Sequence, residues 1–238
     1  MSAIRDSITR FNSRIDDYLA PSKPNRMRVY RSIITETDFS KALHFGSGRD
    51  KRHLGSELSS ADREVIALDP DPHGLEQNDT PKRVLGDGQR LPFADNTFDL
   101  VFSEYVFEHL PEPELALREI NRVLEPGGAV VILVPNPKHY YAKIADLTPF
   151  WFHHLWFSLQ GNTSADEDKF PTQFEWGTYT DIQSGAFDWE IERLYSFPGP
   201  TGYTKILPVH FLFTLFDRAM KNRPQHHVAY LVYYQKQE

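Results

Sequence analysis

The sequence predicts an open α/β fold, a mostly parallel sheet covered by helices on both faces. Three observations carry that expectation. Five short apolar runs, 42–45, 64–68, 83–85, 98–102 and 129–134, follow one another along the chain. The last two are apolar almost without a break, which is the habit of strands buried on both faces. Between them lies a punctuated helix, opened by Pro111 and Pro113 and closed by Glu125-Pro126-Gly127-Gly128, with Leu117, Ile120 and Leu124 on one stripe. Strand, helix and strand make one βαβ crossover. A second unit runs from Phe45 through a helix over 49–58 into the strand at 64–68.

The remaining elements follow in order. Residues 1–40 hold two helical patterns, 4–19 and 25–34, divided by Pro21 and Pro24, and read as a helical cover. Residues 41–136 hold the strands and form the core. Residues 137–172 are rich in aromatics and histidine before turning polar over 161–169, and read as an insertion. A short helix is predicted over 179–187, a strand over 189–197 and a last strand over 228–234. Residues 198–225 form a second insertion around the apolar stretch 209–216. The whole reads as one domain, 1–238, whose two insertions build a lid. Trp151, Phe152, Leu155, Trp156 and Phe157 in one insertion, and Phe211, Leu212, Phe213, Leu215 and Phe216 in the other, are either core or the lining of an apolar substrate pocket.

Composition narrows the function. The 238 residues are 40% hydrophobic and include no cysteine, which excludes disulfides, thiolate metal sites and cysteine nucleophiles. A net charge of −7 without lysine or arginine clusters argues against nucleic acid as a partner. No run reaches the roughly 18 apolar residues of a spanning helix. Residues 1–14 are polar and carry no secretory signal, so a cytoplasmic location is expected. Peripheral membrane contact through the aromatic insertions and the oligomeric state stay open.

The chemistry centres on Phe45-Gly46-Ser47-Gly48, a glycine turn between the first strand and the helix expected after it. Glycines there let a ligand approach the backbone closely. Asp69 ends the next strand, at the distance expected of an acid that binds ribose. A dinucleotide fingerprint would need a third glycine where Lys51 stands, which disfavours a nicotinamide oxidoreductase. Gly86-Asp87-Gly88 follows the third strand, and Leu91-Pro92-Phe93-Ala94-Asp95 leads toward the fourth.

The run GDGQRLPFADNTFDLVFSEYVFEHL, followed by LREINRVLEPGGAVVILVPN, resembles the core of class I S-adenosylmethionine-dependent methyltransferases, near the ubiquinone and menaquinone methyltransferases. The resemblance covers about residues 41–136. It implies a Rossmann-like seven-stranded sheet closed by an antiparallel pair from 189–197 and 228–234, with S-adenosylmethionine as cofactor. It further implies that Gly46, Ser47 and Gly48 contact the methionine part, Asp69 with Pro70 the ribose, and Asp87 with Gly88 the adenine. Ser103 and Glu104 would lie beside the transferable methyl. Two positions depart from the family pattern: His44 stands where an acid is usual, and Asp50 where a small residue is usual. A neutral histidine offers the cofactor's ammonium no full charge, which implies either weaker binding or help from Asp50 or Glu104.

Glu104 and His109 are the candidate catalytic residues. The spacing E-x-x-x-E-H over Glu104, Glu108 and His109 would suit a divalent cation if a helix began at Tyr105, but no metal is expected. His139, Tyr140, Tyr141, His153 and His154 are other candidate bases. Arg28, Tyr30 and Arg31 could face the cofactor's carboxylate from the cover. The expected activity is methyl transfer to oxygen, carbon or nitrogen of a small-molecule or lipidic acceptor. The alternative is a noncatalytic cofactor-binding or regulatory module with the same fold.

Overall fold

The computed structural model describes residues 25–140, 171–185, 187–199 and 207–238. The predicted helix over 4–19 and the aromatic group around Trp151 and Trp156 lie outside the described residues. The first described helix, α1 (Arg26–Glu36), starts where Asn25 caps it, its side chain accepting from the Met27 and Arg28 amides at 3.0 and 3.2 Å. Tyr30, Ile33 and Ile34 are its buried stripe.

The elements that follow are β1 (Lys41–Phe45), α2 (Leu54–Leu58), β2 (Glu64–Asp69), α3 (Pro72–Glu76), β3 (Lys82–Leu85) and β4 (Phe98–Glu104). A single 3₁₀ turn, Phe107–His109, leads to α4 (Pro113–Val123) and β5 (Leu124–Pro135). Then come α5 (Tyr179–Ser184), β6 (Trp189–Phe197), α6 (Leu207–Met220) and β7 (Ala229–Lys236). All seven predicted strands are present. They form one sheet in the order β3-β2-β1-β4-β5-β7-β6.

The first five strands pair in parallel. The last two reverse direction. The Val228 amide donates to Phe197 O and the Gln237 amide to Asp188 O, so β7 rises in number as β6 falls. The Asn136 amide donates to Val228 O, and the Gln235 side chain reaches Gly127 O, which gives β7 the opposite sense to β5 as well. Residues of β1 and β4, and of β5 from Gly128 to Val134, are buried nearly throughout, as their apolar runs require. Ala116, Leu117, Ile120 and Val123 of α4 pack into the same core.

Several helix boundaries differ from the sequence expectation: α5, expected over 179–187, ends at Ser184, where Gly185 caps it, and α1 runs to Glu36. Leu124, assigned to the apolar stripe of α4, is instead the first residue of β5. Its place in the core is kept, and Lys236 Nζ donates at 2.8 Å to the carbonyls of Asn121 and Leu124, closing the helix end. The helix expected over 49–58 begins only at Leu54, because Asp50 and His53 adopt left-handed backbone conformations that a helix cannot contain.

The sheet belongs to a compact unit of residues 25–135, 172–195 and 230–238. The described parts of a second unit include 136–140, 196–199 and 207–229. In it the Asn136 amide side chain donates to Gln225 O and His227 O at 3.1 and 2.8 Å, and Tyr140 Oη donates to Asp217 at 3.1 Å. Thr214 and Asp217 of α6 are buried, whereas Phe211, Leu212, Leu215 and Phe216 are exposed. These four apolar side chains of the 209–216 stretch are therefore not core.

Candidate functional site

The chain leaves β1 toward β2 and leaves β4 toward β5, so a crevice opens where these neighbours part at their carboxyl ends. The glycine turn lines it. Gly46 and Gly48 have φ of +67° and +49°, values that favour glycine. A Cβ on Gly46 would fall 2.3 Å from a methyl of Val106, whereas a Cβ on Gly48 would meet nothing nearer than Asp69 Oδ2 at 4.0 Å. The first glycine is required by packing; the second leaves open space above the backbone.

Asp69 ends β2 and holds the turn. Its Oδ2 accepts from the Gly48 amide at 2.7 Å and its Oδ1 from the Asp71 amide at 2.9 Å. Burial raises its pKa, and these two bonds oppose that rise. Each oxygen keeps a lone pair, so the carboxylate can still accept from two neighbouring hydroxyls. Pro70 beside it is exposed. Ser47 is tied by its amide to Leu68 O at 3.0 Å. Sequence reasoning missed the residue beneath the turn, Asn78. It is buried, donates to Ser47 Oγ and Gly48 O at 3.2 and 2.9 Å, and accepts from the Thr80 amide at 2.9 Å. Nothing in the local pattern marks Asn78, because its partners lie about thirty residues earlier.

After β3, Asp87 is exposed and its carboxylate accepts from the Gln89 amide at 2.9 Å. Gly88 is buried, and a Cβ there would lie 2.3 Å from the Phe45 ring. Packing alone thus demands glycine at this position.

His44 lies within β1, buried and stacked on Phe102 at 4.5 Å. Burial lowers its pKa to about 4, with Asp50 opposing, so its ring is neutral at pH 7. Asp50 is buried beside it, Oδ2 lying 4.0 Å from His44 Nδ1 and accepting from the Gly55 amide at 2.7 Å.

At the end of β4, Ser103 is buried and its Oγ is without a partner. Glu104 follows it and forms an ion pair with Arg52 of the glycine-turn loop. Burial raises the Glu104 pKa against the pull of that guanidinium. No helix begins at Tyr105: its φ is +54°, left-handed, and the turn that follows is the short 3₁₀ one. The face expected to unite Glu104, Glu108 and His109 does not form, and among the described residues no three His, Asp or Glu side chains gather closely enough to hold a metal. Burial pushes the Tyr105 hydroxyl up to about 12, and Arg26 of α1 lies 5.7 Å over its ring.

Glu108 is buried with Oε2 unpartnered, and burial, with the like charge of Glu104, raises its carboxyl to about 7. His109 is half-buried at the end of the turn. Tyr30 is wholly buried, its hydroxyl unpartnered and within the field of Glu104, Asp50 and Arg52. Arg31 pairs with Glu57, and Arg28 is exposed. In the second unit, burial lowers His139 to about 4, making it a weak base, and raises Tyr140 well above its ordinary value. Tyr141, His153 and His154 lie outside the described residues.

Comparison with known proteins agrees with this geometry. Residues 43–132 match a protein family described as "Methyltransferase domain". An uncharacterized protein, YafE of Escherichia coli, is 47% identical over 55 residues, 23% of this chain and 27% of its own. Demethylmenaquinone methyltransferase of Streptomyces griseus is 46% identical over 59 residues, 25% of this chain and 26% of its own. The chain thus matches about a quarter of the length of these curated relatives. Among solved structures, a SAM dependent methyltransferase from Aquifex aeolicus covers 94% of this chain and 97% of its own, at 15% identity and a TM-score of 0.51. The [4+2]-cyclase SpnF covers 88% and 80%, at 14% identity and 0.54.

Proposed function

We propose that this chain, whose residues 43–132 form a methyltransferase domain on the class I S-adenosylmethionine-dependent fold, transfers a methyl group from that cofactor to an oxygen, carbon or nitrogen of a small or lipidic acceptor. One observation carries the reading. The Asp69 carboxylate and the open side of Gly48 face the same switch-point crevice, with hydroxyl-accepting capacity and backbone access together. The acceptor class is inferred from the similarity to a demethylmenaquinone methyltransferase.

The cofactor would supply an already activated methyl: the acceptor's lone pair forms the new bond as the carbon–sulfur bond breaks, S-adenosylhomocysteine leaves, and an acceptor N–H or O–H gives up its proton. The chain's own contribution is alignment. Asp69 fixes the ribose end, Gly46 and Ser47 shape the turn, the Asp87-Gly88 segment meets the adenine, and Ser103 and Glu104 bound the reacting end. Holding nucleophile and methyl in line matters more than a strong base, because the leaving group is neutral once displaced. Glu104 and His109 remain the proton-handling candidates, and Glu108 joins them on the strength of its buried, partnerless oxygen.

The noncatalytic alternative draws on His44, which brings no charge to the position where the family has an acid. It draws also on the fold's use by a cyclase. Calorimetry with S-adenosylhomocysteine, then turnover of S-adenosylmethionine with a metabolite extract, separates the readings. Binding with turnover is expected. Binding without turnover across extracts favours the module. Asp69→Ala should weaken S-adenosylhomocysteine by about 1 to 3 kcal/mol. Unchanged affinity in that variant, or no binding to the wild type, overturns the cofactor assignment.

A further inference from the structure

Arg52 and Glu104 come from opposite sides of the crevice, one from the glycine-turn loop and one from the end of β4, and pair directly. The Arg52 side chain is 55% exposed and the Glu104 side chain 15%. The guanidinium is therefore open to solvent while the carboxylate is largely enclosed. Asp50 stands close enough that its charge is felt by Tyr30, His44 and Glu104. Two carboxylates, one guanidinium and the partnerless Tyr30 hydroxyl thus share one end of the crevice.

We propose that Arg52, Asp50 and Glu104 are the receptor for an α-amino acid group, the Arg52–Glu104 pair opening so that the guanidinium takes the ligand's carboxylate and the two acids take its ammonium. The proposal rests on the S-adenosylmethionine reading of the same crevice, whose cofactor ends in such a group. Exchange of one ion pair for two leaves the half-buried Glu104 compensated in both the free and the bound state. A guanidinium presents a planar fork that matches a carboxylate in two hydrogen bonds. Arg52 pairs with Glu104 at the end of β4, whereas Arg31 pairs with Glu57 of α2. Asp50 explains how the chain dispenses with an acid on β1: its left-handed backbone, φ +40°, turns a carboxylate back against His44.

The test compares two ligands, S-adenosylhomocysteine and 5′-methylthioadenosine, which share the adenosyl thioether and differ in the amino acid group. Their affinities are measured by calorimetry for the wild type, Arg52→Gln, Arg52→Lys and Asp50→Asn, with thermal melting to confirm folding. Arg52→Gln should weaken S-adenosylhomocysteine about ten- to a hundredfold and leave 5′-methylthioadenosine within about twofold. Arg52→Lys should recover part of the loss, since it keeps the charge without the fork. Asp50→Asn, which preserves an acceptor for the Gly55 amide, should weaken only S-adenosylhomocysteine. Equal losses for both ligands, or none for S-adenosylhomocysteine, overturn the proposal while leaving the cofactor reading intact. A wild type that binds neither ligand overturns both.

Discussion

Replacing Glu108 with glutamine should make the protein more stable at alkaline pH and leave it little changed near pH 4.5. The carboxyl is buried, its Oε2 has no partner, and its pKa stands at about 7 in the folded state against an ordinary value of 4.5. Burial is the main cause, with Glu104 adding repulsion. The folded state therefore holds this proton more tightly than the unfolded chain does. Stability from the group is fully present below about pH 4.5, falls as pH rises toward about 7, and levels off above it. The difference of about 2.5 units, at 1.36 kcal/mol each, amounts to about 3 kcal/mol. Glutamine has nearly the same shape and never ionises, so Glu108→Gln lacks this dependence. Urea unfolding of the ligand-free protein, followed by circular dichroism from pH 4.5 to 8, reads the difference directly. The variant's midpoint should exceed that of the wild type by about 1 M or more at pH 8, given a slope of about 1 to 3 kcal/mol per molar. A difference that does not vary with pH, or a variant weaker at pH 8, refutes the argument.

Two other substitutions probe the crevice walls. Gly88→Ala should cost about 1 to 3 kcal/mol, because the added carbon falls 2.3 Å from the Phe45 ring, itself backed by Phe107 at 5.8 Å; a melting temperature equal to wild type would show that the ring yields freely. Asn78→Ala removes bonds to Ser47, Gly48 and Thr80 and should both destabilise by about 1 to 3 kcal/mol and speed amide exchange in the turn at 46–48; exchange unchanged there would assign Asn78 to the core alone.

The sheet was legible because its strands advertise their surroundings. Residues 98–102 and 129–134 are apolar at successive positions, and only strands covered on both faces need that. The glycine turn and Asp69 were equally readable, since their spacing is local to one strand–turn–strand unit. What escaped the sequence was backbone handedness and distant pairing. Asp50, His53 and Tyr105 are left-handed without being glycine, and each moves a helix start or a carboxylate away from where periodicity puts it. Arg52 gave no signal as a functional residue, because its partner Glu104 is 52 positions away. Arg31 looked equally suited and is instead engaged with Glu57.

The position of β7 also governs how the sheet can come apart. Among the described strands β6 touches only β7, which lies between it and β5 although it follows β6 in the chain. Release of β7 would therefore detach β6 at the same stroke, and the pair must open as one cooperative unit. The same event would bare the edge of β5, whose apolar run over 129–134 is a ready template for another extended chain. The Lys236 ammonium and the Tyr234 hydroxyl, bonded at 2.8 Å to the end of α4 and to Ile182 O, guard against that opening. They act as clasps that keep an aggregation-prone edge out of circulation.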